Sequence, residues 1–388
     1  MSEPIIRFLE ERLDAYLHDL RALVSIDSGS MYKAGVDAVN DWLEERLIKL
    51  GFVVERHPQT EFGDNLLATL HGRGHGRLLL LGHTDTVLPT GTAAKRPMTI
   101  RGDKILGPGT CDMKAGLLSG LYAVDALREV GFDDYETITY LCVSDEECSQ
   151  RRSIPLVRSE SRKADAVLTL EAGRENGDIV TARKAMRWYT VELFGRSAHA
   201  GVEPEKGKNA ILALAHHIVG LDQLNGLRPG ATLNTGYIEG GSAPNVIADY
   251  AKMRLDLRAF SDDDIQALDD AVHEQLSETT VPGVKITMTL EEGSYFPAMK
   301  RTPATVELEK LAQTAARELG FQVEGASTGG GSDANYAAAE GAAVLDGLGP
   351  IGGLDHGPDE YIELGSIVPR MALLAKLIMG ILQRGKER

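Results

Sequence analysis

Hydrophobic positions in the first half of the chain follow helical and strand-like spacings in turn. Apolar residues recur about every four positions over 5–17 and over 36–50, which predicts two amphipathic helices. A third helix is expected over 114–130, where the pattern stops at a glycine. Three short and almost wholly apolar runs, each bounded by turn residues, predict buried strands. These runs are 77–81, 137–143 and 166–170. Strands that alternate with helices indicate an α/β domain, a mostly parallel sheet with helices on both faces.

The pattern changes near residue 182. A strand, a helix, two strands, a helix and a strand follow one another, which is the order of a ferredoxin-like α+β unit. Their predicted bounds are 188–194, 209–221, 232–239, 250–259, 262–276 and 284–290. The alternating pattern then returns and closes with a helix over 365–382. We therefore predict an α/β domain formed by 1–181 and 293–388, interrupted by a smaller α+β domain over 182–292.

Charge and composition narrow the range of partners. The chain has 388 residues and a formal net charge of −16. Nucleic acid and anionic membranes would repel such a protein, which argues against both as main partners. No apolar run approaches the roughly 18 residues of a membrane-spanning helix, and the first residues do not resemble a secretory signal. The three cysteines predict reduced thiols and a cytoplasmic location.

Histidines and carboxylates follow the predicted buried strands, open a predicted helix, or lie in a late loop. They are His83, Asp85, Asp112, Glu146, Glu147, Glu171 and His356. The carboxyl ends of parallel strands meet at one edge of a sheet, so we expect these groups to converge. Carboxylates packed together repel one another, and a divalent metal removes that cost. Histidine with aspartate and glutamate suits zinc, with cobalt or manganese as alternatives.

Each of these residues also has a structural interpretation. His83 alone is explained as a satisfied polar residue at a strand end, and Asp112 as a helix N-cap. Glu146 and Glu147 alone are explained as a solvated acidic pair. Glu171 is harder to explain in this way, because a charge at the end of a buried strand needs a partner. The joint pattern favours a metal site.

A series of segments, in order along nearly the whole chain, resembles the M20 group of cocatalytic zinc metallopeptidases and deacylases. The segments are GHTDTV (82–87), GPGTCDMKAG (107–116), SDEE (144–147), the strand ending in Glu171, GRSAHAG (195–201), APNVI (243–247), GGGSDA (329–334) and HGPDEY (356–361). The glutamate carboxypeptidase branch, of the carboxypeptidase G type, is the most similar. The resemblance implies a zinc-exopeptidase-like catalytic domain and an inserted dimerisation and lid domain.

The resemblance also implies roles at the metal site. His83 would bind one of two Zn²⁺ ions and His356 the other, with Asp112 bridging both. Glu147 and Glu171 would complete the two coordination spheres. Glu146 would be the general base that acts on a metal-bound water, and Asp85 would hold His83. A cis peptide after Asp112 is implied as well.

Other implied residues belong to substrate binding. In family members that dimerise, a histidine matching His199 enters the partner's active site and hydrogen-bonds the oxyanion, so we expect a homodimer. Asn245 and Arg258 match substrate-binding positions, although the strand pattern also explains Arg258 as a solvated face residue. The N–H groups of Gly330 and Gly331 would bind a substrate carboxylate; the alternative is a plain loop before a helix.

One departure from the glutamate carboxypeptidases concerns substrate choice. Those enzymes carry an additional arginine in the segment corresponding to 293–297, where this chain has Ser294 and Tyr295. A preference for a C-terminal glutamate is therefore not implied. We expect a hydrolase that cleaves the amide bond of a C-terminal amino acid or an N-acyl amino acid, acting on a small molecule with a free carboxylate.

Three alternatives are weighed against that function. The first is a biosynthetic deacylase of the acetylornithine or succinyl-diaminopimelate type. The second is a non-catalytic binding protein on the same fold, which would be expected to have lost Glu146 or a ligand. The third is a nucleotide-dependent oxidoreductase, suggested by the glycine run 72–76. That run lies between two strand-like segments rather than before a helix, which predicts a hairpin turn instead.

Overall fold

The computed structural model describes residues 2–148 and 151–384. The chain divides into two compact units. The larger comprises the residues up to Ala182, Arg301–Thr328 and the chain from Ser332, and the smaller comprises Arg183–Lys300 and Gly329–Gly331.

Strands and helices are interspersed along the chain. The strands are β1 (Val53–His57), β2 (Asn65–His71), β3 (Arg77–His83), β4 (Thr99–Arg101), β5 (Lys104–Leu106), β6 (Thr137–Val143), β7 (Ala166–Thr169), β8 (Ile179–Arg183), β9 (Ala185–Phe194), β10 (Thr232–Gly240), β11 (Tyr250–Ala259), β12 (Lys285–Leu290), β13 (Gly325–Thr328), β14 (Ala343–Leu345), β15 (Gly352–Gly353) and β16 (Tyr361–Glu363). The helices are α1 (Ser2–Glu11), α2 (Leu13–Val24), α3 (Lys33–Lys49), α4 (Thr92–Lys95), α5 (Ala115–Glu129), α6 (Ile154–Lys163), α7 (Ala210–Asp222), α8 (Asp262–Ser277), α9 (Pro303–Glu318), α10 (Asp333–Ala339) and α11 (Ile367–Arg384).

The main sheet of the larger unit has the strand order β1-β2-β6-β3-β7-β14. The β6-β3, β3-β7 and β7-β14 pairs are parallel, and β1-β2 and β2-β6 are antiparallel. In the central register Leu80 of β3 lies between Tyr140 of β6 and Leu168 of β7. All three residues are fully buried, as expected for strands read from continuous apolar runs. The prediction of a mostly parallel sheet is confirmed.

The predicted hairpin at 72–76 is wrong. Strand β6 lies between β2 and β3, so the glycine run joins two strands that are not neighbours. The backbone N–H of Gly74 donates to the carbonyl of Tyr135, just before β6, at 2.9 Å. The glycines indicate a turn at this point, but which strands β2 and β3 pair with depends on the order of the whole sheet.

The N-terminal helical pattern is divided between α1 and α2, which meet at Arg12. At the other end, Leu364–Arg384 is the one segment of the described chain that is long and apolar enough by length and composition to cross a membrane. No such segment was expected from the sequence. In the structure 67% of its apolar window is buried, and α11 packs on α1, α5 and α9. Those contacts make α11 a core helix of the larger unit.

The smaller unit is a four-stranded antiparallel sheet, β10-β11-β9-β12, with α7 and α8 packed on it. The observed order of strands and helices is the predicted β-α-β-β-α-β. In β11, Met253, Leu255 and Leu257 are buried and alternate with more exposed residues. Helix α8 begins after Ser261, whose Oγ accepts the N–H of Asp264 at 3.0 Å.

The boundaries between the units differ from those predicted. The stretch 293–300 lies in the smaller unit because it pairs with the chain leading into β9. Met186 and Phe296 exchange backbone hydrogen bonds of 3.0 Å, and Arg183 and Met299 bonds of 3.0 and 3.1 Å. The larger unit therefore resumes at Arg301 rather than at 293.

Two features of the larger unit set up the site. Strands β6, β3 and β7 are adjacent and parallel, so the residues that follow them emerge at one edge of the sheet. Helix α5 begins against the end of β7 at a position where only glycine fits. A Cβ on Gly116 would lie 1.8 Å from the carbonyl oxygen of Leu170. This close approach brings the turn before α5 to the same edge.

Candidate metal centre

Asp112, in the turn before α5, is the meeting point of two histidines from distant parts of the chain. Its Oδ1 lies 2.9 Å from Nε2 of His83, the last residue of β3. Its Oδ2 lies 3.1 Å from Nε2 of His356. His83 is buried, whereas the side chain of His356 is 53% exposed. One carboxylate thus contacts a buried and an open imidazole, one with each oxygen.

Each histidine also has a glutamate beside it. Oε2 of Glu147, after β6, lies 3.3 Å from Nε2 of His356. Oε1 of Glu171, after β7, lies 3.8 Å from Nε2 of His83. The structure therefore brings together all five residues expected to bind metal. Asp355, which was not expected, belongs to the same cluster, since it offers an oxygen within 4.8 Å of ligand atoms of Asp112 and His356.

The donor set fits a divalent metal. His83, Asp112 and Glu147 offer ligand atoms that all lie within 4.8 Å of one another. Oε1 of Glu147 is buried and accepts no hydrogen bond from any described residue. A buried carboxylate oxygen without a donor is costly, and a cation is the ordinary remedy. Imidazole nitrogens with carboxylate oxygens are ligands typical of zinc and similar transition metals.

The pKa values of the acidic groups show the effect of crowding negative charge into the cluster. Burial, with the charge of Asp112 adding to it, raises the pKa of Glu147 to about 8. The same two causes raise the pKa of Glu171 well above its ordinary value. Burial alone would also raise the pKa of Asp112, but hydrogen bonds from His356 and His83 outweigh it and lower that pKa.

The histidines respond in the opposite direction. Hydrogen bonds to Asp112 and Glu147 raise the pKa of His356 to about 11. Burial would lower the pKa of His83, but hydrogen bonds to Asp112 and Asp85 raise it well above its ordinary value. Protons on these groups supply positive charge that a bound cation would supply instead.

Asp85 joins the ends of β3 and β6. Nδ1 of His83 lies 3.0 Å from the backbone oxygen of Asp85 and 3.4 Å from its Oδ1. The same carboxylate accepts the backbone N–H groups of Glu146 at 3.1 Å and Glu147 at 3.0 Å. It also accepts the hydroxyl of Ser30 at 2.6 Å. The contact with His83 was expected, but the contacts with the Glu146–Glu147 backbone were not.

Glu360 was missed by sequence reasoning. Its buried carboxylate accepts the backbone N–H groups of Gly109, Cys111 and Asp112, at 2.9, 2.8 and 3.1 Å. It lies in the segment that also supplies His356, but neither its spacing nor its residue type distinguishes it from a solvated glutamate. The peptide between Asp112 and the next residue is cis, as the resemblance implied.

Glu146 lies beside Glu147 in sequence but has a different partner. Its Oε1 accepts a hydrogen bond from Nη2 of Arg151 at 2.5 Å. Nη1 of the same guanidinium donates to Oδ1 of Asp333 at 2.9 Å. Neither Arg151 nor Asp333 was expected at the site. The two adjacent glutamates therefore occupy different electrostatic surroundings, one facing a histidine and the other an arginine.

The smaller unit places His199 and Asn245 on two paired loops. The N–H of Ala200 donates to the carbonyl of Asn245 at 2.9 Å, and the N–H of Ile247 donates to that of Ala198 at 2.9 Å. Both candidate residues are exposed. Two segments that are separate in sequence thus pair through their backbones at His199 and Asn245.

Arg258 and the glycine loop also lie together in the smaller unit. Nη1 of Arg258 donates to the carbonyl of Gly329 at 2.7 Å, and its Nε and Nη2 bind Asp256. Nη1 of Arg183 lies 3.2 Å from the carbonyl oxygen of Gly330 and 3.4 Å from that of Gly331. The N–H groups of Gly330 and Gly331 have no hydrogen-bond partner among the described residues.

Comparison with known proteins agrees with the geometry. The sequence profile of peptidase family M20/M25/M40 matches residues 79–380. The chain belongs to this family. The protein is accordingly a hydrolase. Membership of the family implies that it uses a divalent metal and acts on a small-molecule or peptide substrate.

Three relatives illustrate the likeness. Carboxypeptidase G2 of Pseudomonas sp. (strain RS-16) is 32% identical over 375 residues, covering 95% of this chain and 89% of that protein. Acetylornithine deacetylase of Proteus mirabilis is 30% identical over 399 residues, covering 95% and 97%. The solved structure of aminopeptidase PepT from Bacillus cereus superposes with a TM-score of 0.80 at 25% identity, covering 95% of this chain and 98% of that one.

We predict that the metal-free protein loses stability as the pH rises from about 5 to about 8. Glu147 has a pKa of about 8 in the folded protein and an ordinary value of 4.5. Between these values the folded chain holds a proton that the unfolded chain releases. Its stabilising contribution is therefore complete below the lower value and disappears as the pH passes the upper one. His356, with an ordinary value of 6.5 and a folded value of about 11, acts in the same direction.

Melting temperatures of chelator-treated protein, measured by calorimetry at half-unit pH intervals, test this prediction. Protein reloaded with metal is the control, because the metal replaces the protons and the decline should be absent. A melting temperature of the metal-free protein that stays constant or rises between pH 5 and 8 would contradict the assignment.

Proposed function

We propose that this protein is a dinuclear metal amidohydrolase, with two Zn²⁺ ions per chain and Co²⁺ or Mn²⁺ as alternatives. It removes a C-terminal amino acid, or the acyl group of an N-acyl amino acid, by hydrolysis of the amide bond. The observation that carries the proposal is the position of Asp112 between two histidines, each with its own glutamate. Two donor sets that share one carboxylate suit two ions held close together.

The contacts suggest how the ligand residues are divided between the two ions. His83 and Glu171 would hold one ion, and His356 and Glu147 the other, with Asp112 shared. When bound, the ions would polarise the substrate carbonyl and acidify a water molecule. The protein keeps the His83 imidazole in place through Asp85, which lies against Nδ1 while Nε2 faces the ligand side.

Glu146 is the proposed general base. It accepts a proton from the attacking water and passes it to the leaving nitrogen as the carbon–nitrogen bond breaks. That role requires a carboxylate close to the ligands but not itself a ligand. Glu146 meets the requirement, because Asp85 anchors its backbone N–H beside that of Glu147 while its side chain pairs with Arg151 rather than a histidine.

The free carboxylate of the substrate is assigned to the smaller unit. Arg258 uses one N–H of each Nη group on Gly329 and Asp256, so each keeps a second N–H for a ligand. The amide of Asn245 and the N–H groups of Gly330 and Gly331 would add donors. The names carboxypeptidase and acetylornithine deacetylase both describe amide hydrolysis at an amino acid, which supports a substrate of this class.

The region near Ser294 bears on side-chain preference. The hydroxyl of Ser294 is buried, and its oxygen lies 2.7 Å from the backbone oxygen of Glu291 and 3.1 Å from that of Trp188, so its single proton is taken up by the backbone. Tyr295 is partly exposed, with the guanidinium of Arg187 5.5 Å from its ring centre. No cation for a glutamate side chain stands at 294 or 295, so we propose that aromatic or apolar acyl amino acids and dipeptides are accepted.

A hydrolysis screen of protein loaded with zinc or cobalt tests this function. The panel varies the C-terminal residue over Glu, Asp, Phe, Leu, Arg and ornithine, and the acyl group over acetyl, benzoyl, folyl and aminoacyl. We expect hydrolysis of several acyl amino acids, with Phe or Leu at least as good as Glu. Activity confined to acetylornithine would favour the biosynthetic deacylase, which the relative from Proteus mirabilis suggests. If the metal-loaded protein hydrolyses none of these compounds, the result would favour the non-catalytic binding protein.

Substitution of the two adjacent glutamates separates the base from the ligand. We predict that Glu146→Gln lowers kcat about 10²-fold or more, since it removes the proton acceptor and keeps the shape. Its metal content, by elemental analysis, should remain two ions per chain. The matched variant Glu147→Gln should lose metal instead. Near-normal kcat in Glu146→Gln, or less than one ion per active chain in the unmodified protein, would overturn the assignment.

We further propose a cytoplasmic homodimer that associates through the smaller unit. Strand β10 is at the edge of its sheet and exposes Tyr237 and Ile238. Helix α7 exposes Leu212 and Val219, the latter 67% accessible. An open strand edge beside apolar residues is typical of a surface that pairs with another chain. The thiols of Cys111 and Cys142 are buried and form no disulfide, in keeping with a reducing compartment.

In this dimer His199 would act on the partner's substrate as an oxyanion donor, a contribution typically worth about 10²- to 10³-fold in kcat. We predict that His199→Ala loses kcat and keeps both metals. Mixing it with inactive Glu146→Gln under conditions of subunit exchange should restore activity, because one site of the heterodimer combines both intact residues. As the control, each variant alone is taken through the same subunit-exchange conditions. No recovery despite demonstrated exchange, or a fully active monomer, would contradict the role in trans.

A further inference from the structure

A buried arginine in the larger unit links two acidic side chains, and the proposed function does not use it. Arg151 places Nη2 2.5 Å from Oε1 of Glu146 and Nη1 2.9 Å from Oδ1 of Asp333. The side chains of Arg151, Glu146 and Asp333 are only 4%, 9% and 3% exposed. The guanidinium carbon also lies 5.8 Å from the ring centre of Tyr336. The arginine is thus enclosed by the loop after β6 and by helix α10.

The charges account for this enclosure. Two buried carboxylates without a cation would repel each other and lose their hydration. One guanidinium compensates both, since its planar fork presents two N–H donors at a fixed separation. Lysine has a single ammonium and cannot hold two carboxylates at that fixed geometry. The fork therefore sets the position of Glu146 relative to Asp333 on α10.

The two oxygens of Glu146 are consequently in different situations. Oε1 accepts the bond from Arg151, and Oε2 accepts none from the residues that the structure describes. A general base needs one oxygen free for the proton and a carboxylate that does not rotate away from it. Glutamate has several rotatable bonds, and the backbone contact to Asp85 holds only its N–H. The bond to Oε1 is the contact that orients the carboxylate itself.

We propose that Arg151 is a positioning residue for the general base, one that fixes Glu146 by one oxygen and leaves the other to accept the proton. This inference rests on the proposed function of Glu146. Arg151 binds neither the substrate nor the metals in this proposal. Its loss should therefore lower kcat while KM and metal content stay nearly constant. A residue that only stabilised the fold would not produce that combination.

The first experiment compares three single variants of the full-length, metal-loaded protein on the best substrate from the screen. Arg151→Met should lower kcat about 10- to 10²-fold, within the contribution of general-base catalysis, with KM within about 3-fold. Arg151→Lys should recover part of the loss, because it restores the charge but not the fork. The matched control is Arg158→Met. Arg158 lies over the same Tyr336 ring at 5.8 Å but pairs with Glu340, so its kcat should stay within about 2-fold.

The second experiment places Arg151→Met in the Glu146→Gln background. If Arg151 acts through Glu146, the added substitution should change kcat by less than about 2-fold there, although it costs far more in the unmodified protein. Equal losses in both backgrounds would overturn the inference, as would loss of metal or an unchanged kcat in Arg151→Met alone. If Arg151→Met does not fold, Arg151→Lys in the two backgrounds gives the same comparison. A normal kcat in Glu146→Gln would instead contradict the proposed function.

Discussion

The larger unit is organised around negative charge that must be buried at one edge of a sheet. Asp112, Glu147 and Glu171 lie together there, largely buried, with the buried His83 and the half-exposed His356. Such a cluster is unfavourable unless positive charge is present. The raised pKa values of Glu147 and His356 show that both groups hold protons more tightly than usual, which supplies part of that charge. The rigid fold holds these carboxylates close together. Their negative charge makes the cluster unfavourable by itself, and the same charge is what would bind a metal.

Two of the surrounding carboxylates hold backbone N–H groups of the loops that carry the proposed ligands. The carboxylate of Asp85 accepts two N–H groups after β6, and Glu360 accepts three in the turn that carries Asp112. Arg151 applies the same principle to a side chain, Glu146. Each of these groups connects two segments that are far apart in sequence. Precise ligand positions therefore come from polar contacts between loops, fastened to strands β3, β6 and β7.

Much of this structure could be predicted from the sequence, for identifiable reasons. Strand β6 was predicted over 137–143 and β11 over 250–259 because apolar runs and strict alternation are local signals, and both bounds match. The convergence of His83, Glu147 and Glu171 was predicted because strand ends at a common sheet edge are a property of the fold class, whereas their roles as ligands, with Asp112 and His356, came from the family resemblance and stay a proposal. The pairing partner of β2, the boundary at Arg301 and the roles of Glu360 and Arg151 were not predicted. Each depends on contacts between distant segments, which leave no periodic trace in a single sequence.

The position of Glu360 has a consequence for synthesis of the protein. His356 and Asp112 are 244 residues apart, and the turn carrying Asp112 is held by a glutamate that is translated later still. Before the segment that contains His356 and Glu360 has been made, His83, Glu147 and Glu171 already exist, but the turn that carries Asp112 lacks its anchor. The five proposed ligand residues can therefore come together only after the segment that contains His356 and Glu360 has been made.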